Sequence, residues 1–236
     1  MTAYHRPSNL AEALALCARS GAIVIGGGTA LHARGPGEPV EVVDLQALGL
    51  DGIVAAGNGA MTVGATATLQ QLVHHEATPP VVRDAARRAR PSTLRNQATV
   101  GGLLASGDPE SELLAALLVY DAVVTIAAAD GTREVPLDAV LAGLPLEHGT
   151  LVTAVTLATG GRAAAARVGR TTADAPIVAA VARSDDGTRR TALAGVAARP
   201  VLVGADLHPP GDHRGSGEYR VAMAAVLVER ALEALE

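Results

Sequence analysis

The sequence predicts an α+β fold, and three observations carry that expectation. Amphipathic helical stretches are interleaved with short hairpin-like apolar runs, where a doubly wound sheet would need single parallel strands between helices. The first glycine cluster, Gly26-Gly27-Gly28, follows a helix and then a strand. The third glycine of a Rossmann fingerprint would fall on Leu31, and Arg34-Gly35-Pro36-Gly37 blocks an immediate long helix. Finally, Thr159-Gly160-Gly161 marks a break, beyond which come three strand-like runs and one closing helix. The expected division is therefore 1–159 and 160–236.

Ser8 or Asn9 can cap a first helix, with Glu12 placed as in a capping box. Leu10, Ala13, Leu14 and Cys17 fall on one face of it, and Gly21 ends it. Strand 22–25 runs into the glycine cluster. Val40 to Leu45, Gly52 to Ala56 and Met61 to Thr66 read as strands, the last two joined as a hairpin at Gly57-Asn58-Gly59. Thr68 can cap a helix through His75, and Pro79 or Pro80 opens another that stops before Pro91. Pro109 is expected to start a helix covering Glu110 to Tyr120. Ala122 to Ala128 and Arg133 to Val135 then form a hairpin about Asp130-Gly131. Past the break, the three strands are Ala163 to Val168, Ile177 to Ala182 and Thr191 to Ala197, with Asp186-Gly187 joining the last two. Ser216 caps a helix to about Leu235.

The chain has 236 residues, of which 49% are hydrophobic and 18% charged, a composition that buries a core and does not stay disordered. It has no Phe and no Trp, so Leu, Val, Ile and Ala must fill that core. Base-stacking nucleic-acid modules are disfavoured for the same reason, and a net charge of −5 without a large basic cluster adds to this. All 19 basic residues are Arg, which excludes a P-loop lysine, a Schiff-base lysine and a lysine base. The lone cysteine, Cys17, can neither form an intrachain disulfide nor supply the thiolates of an iron–sulfur cluster. No apolar run approaches the ~18 residues of a spanning helix, and Met1–Pro7 lacks the apolar region of a signal peptide. The expected location is the cytoplasm.

Two glycine-rich loops are the strongest functional signal. The first is Ile25-Gly26-Gly27-Gly28-Thr29-Ala30-Leu31. The second, about seventy residues later, runs from Arg95 through Thr99, Gly101 and Gly102 to Ser106. Glycine lets backbone amides approach a ligand closely, and two such loops suggest a pyrophosphate held from both sides, hence a dinucleotide cofactor. Asp108, Glu110 and Glu112 follow the second loop. They can complement a helix N-terminus or accept hydrogen bonds from ribityl or ribose hydroxyls, and the sequence leaves both roles open. His208, His213, Asp206 and Asp212 read as a polar loop in preference to a metal site, and there is no HExxH or CxxC pattern. Gly215-Ser216-Gly217 lacks the spacing of a nucleophile elbow.

These residues resemble the flavin-binding medium subunit of molybdenum hydroxylases, the group that includes carbon monoxide dehydrogenase and xanthine dehydrogenase. Gly26-Gly27-Gly28-Thr29-Ala30-Leu31 looks like that family's first loop, and Val63-Gly64-Ala65-Thr66-Ala67-Thr68-Leu69 is similar to a following segment. Leu94-Arg95-Asn96-Gln97-Ala98-Thr99-Val100-Gly101-Gly102 is the most specific match. Asp108-Pro109, Glu112, Arg167-Val168-Gly169-Arg170, Asp174-Ala175 and Asp212 to Arg220 extend the likeness over nearly the whole chain.

The resemblance implies a two-lobed PCMH-type FAD-binding domain over 1–159. Over 160–236 it implies a shortened C-terminal domain, a three-stranded antiparallel sheet with a helix. It implies FAD as cofactor, held by Ile25, Gly26, Gly27, Gly28, Thr29, Ala30, Leu31, Thr99, Gly101, Gly102 and Ser106, with Glu112 toward the ribityl chain. It implies an oxidoreductase subunit that is inactive on substrate alone, with no catalytic acid or base of its own. Its implied partners are a molybdopterin-binding large subunit and a [2Fe–2S] small subunit. Three departures stand out: Leu103 where a small polar residue is expected, Ala30 where Asp or Ser is expected, and a short link between Ala198 and Pro209. They motivate an alternative, a scaffold subunit that keeps the fold without flavin.

Overall fold

The structure is a computed structural model describing residues 3–30, 40–171 and 174–236. The first lobe is small. Helix α1 (Leu10–Cys17) starts where Asn9 Oδ1 accepts the Glu12 amide at 2.9 Å, while the Glu12 carboxylate accepts the Ser8 amide at 3.3 Å. Its Ala13, Leu16 and Cys17 pack on Val43 and Leu45. Beside it, β1 (Ala3–His5), β2 (Ala22–Ile25) and β3 (Glu41–Asp44) form a parallel sheet in the order β1-β3-β2. The three-residue β1 carries too short a pattern to be read from sequence.

The second lobe is a five-stranded antiparallel sheet with helices on it. The expected hairpin is present as β4 (Ile53–Ala56) and β5 (Ala60–Gly64), and a second as β6 (Val123–Ala128) and β7 (Gly131–Pro136). Between them lies β8 (Leu151–Ala158), giving the order β4-β5-β8-β6-β7. The sequence reading passed over β8, although it joins the two hairpins. At the sheet's end, β7 presents Arg133 and Glu134 to solvent and finishes on Pro136.

Five helices accompany this sheet in the span 69–119. Thr68 and Gln71 form a reciprocal capping box at α2 (Leu69–His74). Pro80 opens α3 (Pro80–Ala89), and two short helices follow, α4 (Ser92–Arg95) and α5 (Val100–Ser106). The expected helix after Pro109 starts later, as α6 (Glu112–Val119), because Ser111 Oγ takes the Leu114 amide at 3.2 Å. Asp108 and Glu110 thus precede the helix, and Glu112 is its first residue. Every residue of α6 is buried, the signature of a helix enclosed on all sides. Helix α7 (Leu137–Ala142) follows β7.

The C-terminal part corrects the three-stranded expectation. β9 (Arg162–Val168), β10 (Val178–Asp185) and β11 (Thr188–Ala194) are joined by a two-residue β12 (Val201–Leu202), in the antiparallel order β12-β11-β10-β9. β11 stops at Ala194 because Gly195 turns the chain at φ +83. The two-residue side-chain period explains how one sheet serves two cores. Val178, Ala180 and Ala182 meet Ala224, Leu227 and Ala231 of α8 (Gly217–Glu233), whereas Ala179 and Val181 join the core around α6. Among the described residues no helix is long and apolar enough to cross a membrane.

Buried arginines tie this sheet to the preceding lobe. Arg220, only 2% exposed, donates to the carbonyls of Ile177 (2.6 Å) and Gly195 (3.1 Å), to Glu110 (3.2 Å) and to Asp212 (2.8 Å). Arg214 pairs with the same Glu110. Arg183 spans from β10 to the Val119 carbonyl (3.2 Å), Asp121 and Asp185, with its guanidinium over the Tyr120 ring.

Glu110→Ala leaves the buried Arg220 with less compensation and should lower the unfolding free energy by about 3 kcal/mol, measured by urea denaturation. Backbone donation from Arg214, followed by the hydrogen bond from Arg220, holds the Asp212 carboxyl well below the usual carboxylate range. Its stabilising contribution is therefore complete above pH ~4 and lost as pH falls below that. Asp212→Asn should flatten the acid limb of a stability–pH profile, and an unchanged slope would refute this.

Candidate functional site

β2 delivers the chain into Gly26-Gly27-Gly28, and this loop lies directly against the segment before α5. A Cβ on Gly27 would sit 1.6 Å from the Gln97 carbonyl oxygen, and one on Gly26 would sit 2.4 Å from Thr99 Oγ1. Only glycine lets the backbones pass at that separation. Gly28 differs: it holds φ +71 with open space around it, so it serves the turn and not the packing. Gln46 Nε2 steadies the loop by donating to the Gly26 carbonyl at 3.1 Å. Among the described residues, the amides of Gly27, Gly28 and Thr29 donate to no other group.

The second loop is built differently from the sequence expectation. Arg95 pins it, donating to the carbonyls of Arg87 (2.7 Å) and Arg90 (2.9 Å) and to Gln70 Oε1 (2.9 Å). Thr99 caps α5, accepting the Gly102 amide at 3.2 Å. The Val100 and Gly101 amides donate to the Ala67 (2.9 Å) and Ala65 (2.8 Å) carbonyls. A Cβ on Gly101 would lie 2.9 Å from Ala65. These glycines secure α5 against β5, and the Gly101 and Gly102 amides are already engaged within the chain.

The two loops frame a groove of two adjoining cavities, about 300 and 440 Å³, in the range of small-molecule and cofactor sites. Val24, Gly26, Thr99, Gly102, Ala105 and Pro145 border both and form the neck between them. The smaller cavity lies over Cys17, Leu45, Ala65 and the 145–152 segment. Burial raises the Cys17 thiol to about 11, so it stays protonated and unreactive at neutral pH. The larger cavity runs along Ile25, Gly26, Gly27, Gly28, Thr29 and Ala30, with Ser106 on its far wall.

The structure therefore brings together most of the residues singled out from sequence. Ile25 to Ala30, Thr99, Gly102 and Ser106 line the larger cavity, and Gly101 the smaller. Leu31 lies outside the described residues. Glu112 is not part of the groove walls: it is buried, Arg88 Nε donates to its Oε2 at 3.2 Å, and Arg88 Nη2 donates to its Oε1. Arg167 Nε stands 3.9 Å away, so Glu112 joins α3, α6 and β9. Leu103 reaches the groove wall yet is 7% exposed and packed in the main core, so the leucine is accommodated by packing. Sequence reasoning missed Arg90, Arg199, Thr66 and His148. These come from four separate segments, and only Thr66 stands inside a recognisable motif.

Glycine amides and cationic side chains in the larger cavity, a narrow neck and a second cavity beyond it suit an elongated ligand with an anionic portion in the larger cavity. That is the form of a nucleotide cofactor, and the site defines the chain as a protein of the nucleotide-cofactor-binding class. The chain belongs to the family described as the FAD binding domain in molybdopterin dehydrogenase, whose pattern it matches over residues 1–158. It is 30% identical to the carbon monoxide dehydrogenase medium chain of Afipia carboxidovorans, over 98% of this chain and 95% of that one. It is 31% identical to the xanthine dehydrogenase FAD-binding subunit of Escherichia coli O157:H7, over 64% of this chain and 56% of the relative. Its backbone superposes on a chain of reconstituted CO dehydrogenase from Oligotropha carboxidovorans with a TM-score of 0.87 and 27% identity, covering 100% and 97% of the two chains. The quinoline 2-oxidoreductase of Pseudomonas putida 86 shares the fold at a TM-score of 0.89 and 23% identity, over 100% and 96%. The expected family and its cofactor, FAD, are thus borne out.

The packing predicts different outcomes at the three glycines. Gly27→Ala and Gly101→Ala should lower the thermal midpoint markedly, because each methyl meets backbone. Gly28→Ala should cost only about 1 kcal/mol, the strain of a left-handed backbone. Calorimetry on the three variants checks the order, and equal losses would contradict it.

Proposed function

We propose that this chain is the flavoprotein subunit of a molybdopterin-dependent oxidoreductase. A molybdopterin-binding large subunit acts on the substrate, and a [2Fe–2S] small subunit passes electrons on. This chain delivers them through FAD to an external acceptor in the cytoplasm. FAD, when bound, can accept electrons singly and release them in pairs. With one cysteine the chain has no thiolates to build its own cluster, so the donor must be a partner. The working division is an FAD-binding unit over 1–159 and a shortened C-terminal unit over 160–236.

The observation that carries this reading is the first loop. Its Gly27, Gly28 and Thr29 amides donate to no other group among the described residues, and they border a cavity that Gly27 keeps against the second loop. Amides in that state suit an anionic diphosphate. Ile25, Gly26 and Ala30 line the same cavity, as do Thr99, Gly102 and Ser106 from the second loop. Gly101 acts indirectly by seating α5. Glu112 takes no part, since Arg88 occupies its carboxylate. The scaffold alternative draws on Leu103, Ala30 and the shortened C-terminal domain, but a scaffold has no need of a groove lined by loop amides that bond nothing else among the described residues.

Denaturing the purified protein and separating the released flavin by chromatography should yield FAD. Recovery of FMN would count against FAD as the cofactor, and recovery of no flavin after reconstitution would favour the scaffold. The isolated chain is expected not to oxidise substrate. Rapid-mixing absorbance on the assembled complex should show flavin reduction that disappears when the cluster subunit is omitted. Substrate-driven reduction in the isolated chain would refute the relay.

A further inference from the structure

The larger cavity has a charge asymmetry that the glycine loops do not explain. Arg90 and Arg199 are the charged residues among its described lining, which contains no Asp or Glu, in a chain whose net charge is −5. The smaller cavity, by contrast, includes Glu147 in its wall. Arg199 comes from the link between β11 and β12. Its side chain lies flat across the turn that ends α5: a Cβ on Gly107 would be 2.6 Å from Arg199 Nε and 2.7 Å from its Cδ. One guanidinium nitrogen donates to the carbonyl of Ala198 at 2.6 Å. Among the described residues the Arg199 Nε is buried with no hydrogen-bond partner, and the guanidinium makes no ion pair with a carboxylate. In a described wall without carboxylates, Arg199 lacks the ion pairs that Arg183 makes with Asp121 and Asp185 and Arg220 with Glu110 and Asp212. Arg90 is less free, with Asp108 at 3.6 Å and its own neighbour's carbonyl at 2.9 Å.

We propose that Arg199 is a binding residue for the diphosphate of the flavin dinucleotide, contributed to the groove by the C-terminal sheet from outside the residues that define the family domain. This rests on the reading above that the groove holds FAD. The planar guanidinium offers forked donors to phosphate oxygens, a geometry lysine cannot reproduce. The amides of the first loop approach from one side and Arg199 from the α5 C-terminus, so the anion is neutralised by a side chain as well as cradled by backbone. Arg90 adds long-range positive potential without direct commitment.

The test uses the full chain freed of cofactor, with FAD, ADP and riboflavin as probes in equilibrium titrations. ADP carries the diphosphate without the flavin ring, and riboflavin carries the ring without phosphate. Arg199→Met should weaken FAD and ADP by roughly 10- to 100-fold, as expected for lost hydrogen bonds to a charged group, and leave riboflavin unchanged. The unliganded variant should melt at the wild-type temperature. If Arg199→Met does not fold, Arg199→Gln, with a polar head and a shorter stem, takes its place with the same expected losses. Equal FAD and ADP affinities in variant and wild type would overturn the proposal while leaving the flavin reading intact. Parallel losses for all three probes, with a lower melting temperature, would also overturn it by making Arg199 structural. A wild-type protein that binds none of the probes would remove the flavin reading itself.

Discussion

The groove depends on one close approach, the passage of the Gly27 backbone against the Gln97 carbonyl. Adding a single carbon there would place it 1.6 Å from oxygen, which no rotamer can relieve because both partners are main chain. The two strands of chain would have to separate, and with them the parallel-sheet lobe from the helices that carry α5. The same approach sets the neck between the cavities, since Gly26 and Thr99 border both. Packing and site geometry thus share one cause.

The C-terminal sheet is held in relation to this groove by arginine in place of large apolar side chains. A core built from Ala and Val on β10 leaves little side-chain bulk to key one element to the next, and the chain has neither Phe nor Trp to supply it. Arg183 and Arg220 fulfil that role through directed hydrogen bonds to carbonyls as well as carboxylates. Such buried pairs add modestly to net stability, but breaking one is costly, so they select a single docking arrangement. Glu112 does the same between α3, α6 and β9.

Legibility differed with the range of the interactions that decide each feature. Caps and turns were readable because their partners are local: Asn9 with Glu12, Thr68 with Gln71, Ser216 with Tyr219. The hairpin β4–β5 was announced by Gly57-Asn58-Gly59. β8 was passed over because a strand buried at the middle of a sheet has no solvent face to mark its edges, and β12 because two residues carry no period. The acidic residues after α5 show the same limit. Sequence alone could not separate a ribityl contact from an ion pair at Glu112, since Arg88 and Arg167 come from other elements. The glycines were legible as a pattern, but their separate reasons (packing at Gly27 and Gly101, a left-handed turn at Gly28) became visible only with the neighbours in place.

The sheet margins bear on how the chain fares among its own copies before it meets anything else. β7 closes one side of the five-stranded sheet with Arg133, Glu134 and Pro136, and β4 closes the other with only four residues. In the C-terminal sheet β12 is two residues long, and β9 opens on Arg162. The folded chain therefore offers its copies little bare backbone ladder at β4, β7 and β12, and an arginine stands at the opening of the longer edge β9, so runaway strand addition is discouraged at these margins. Any lasting association must instead be written in side chains, which are specific to the surface they meet.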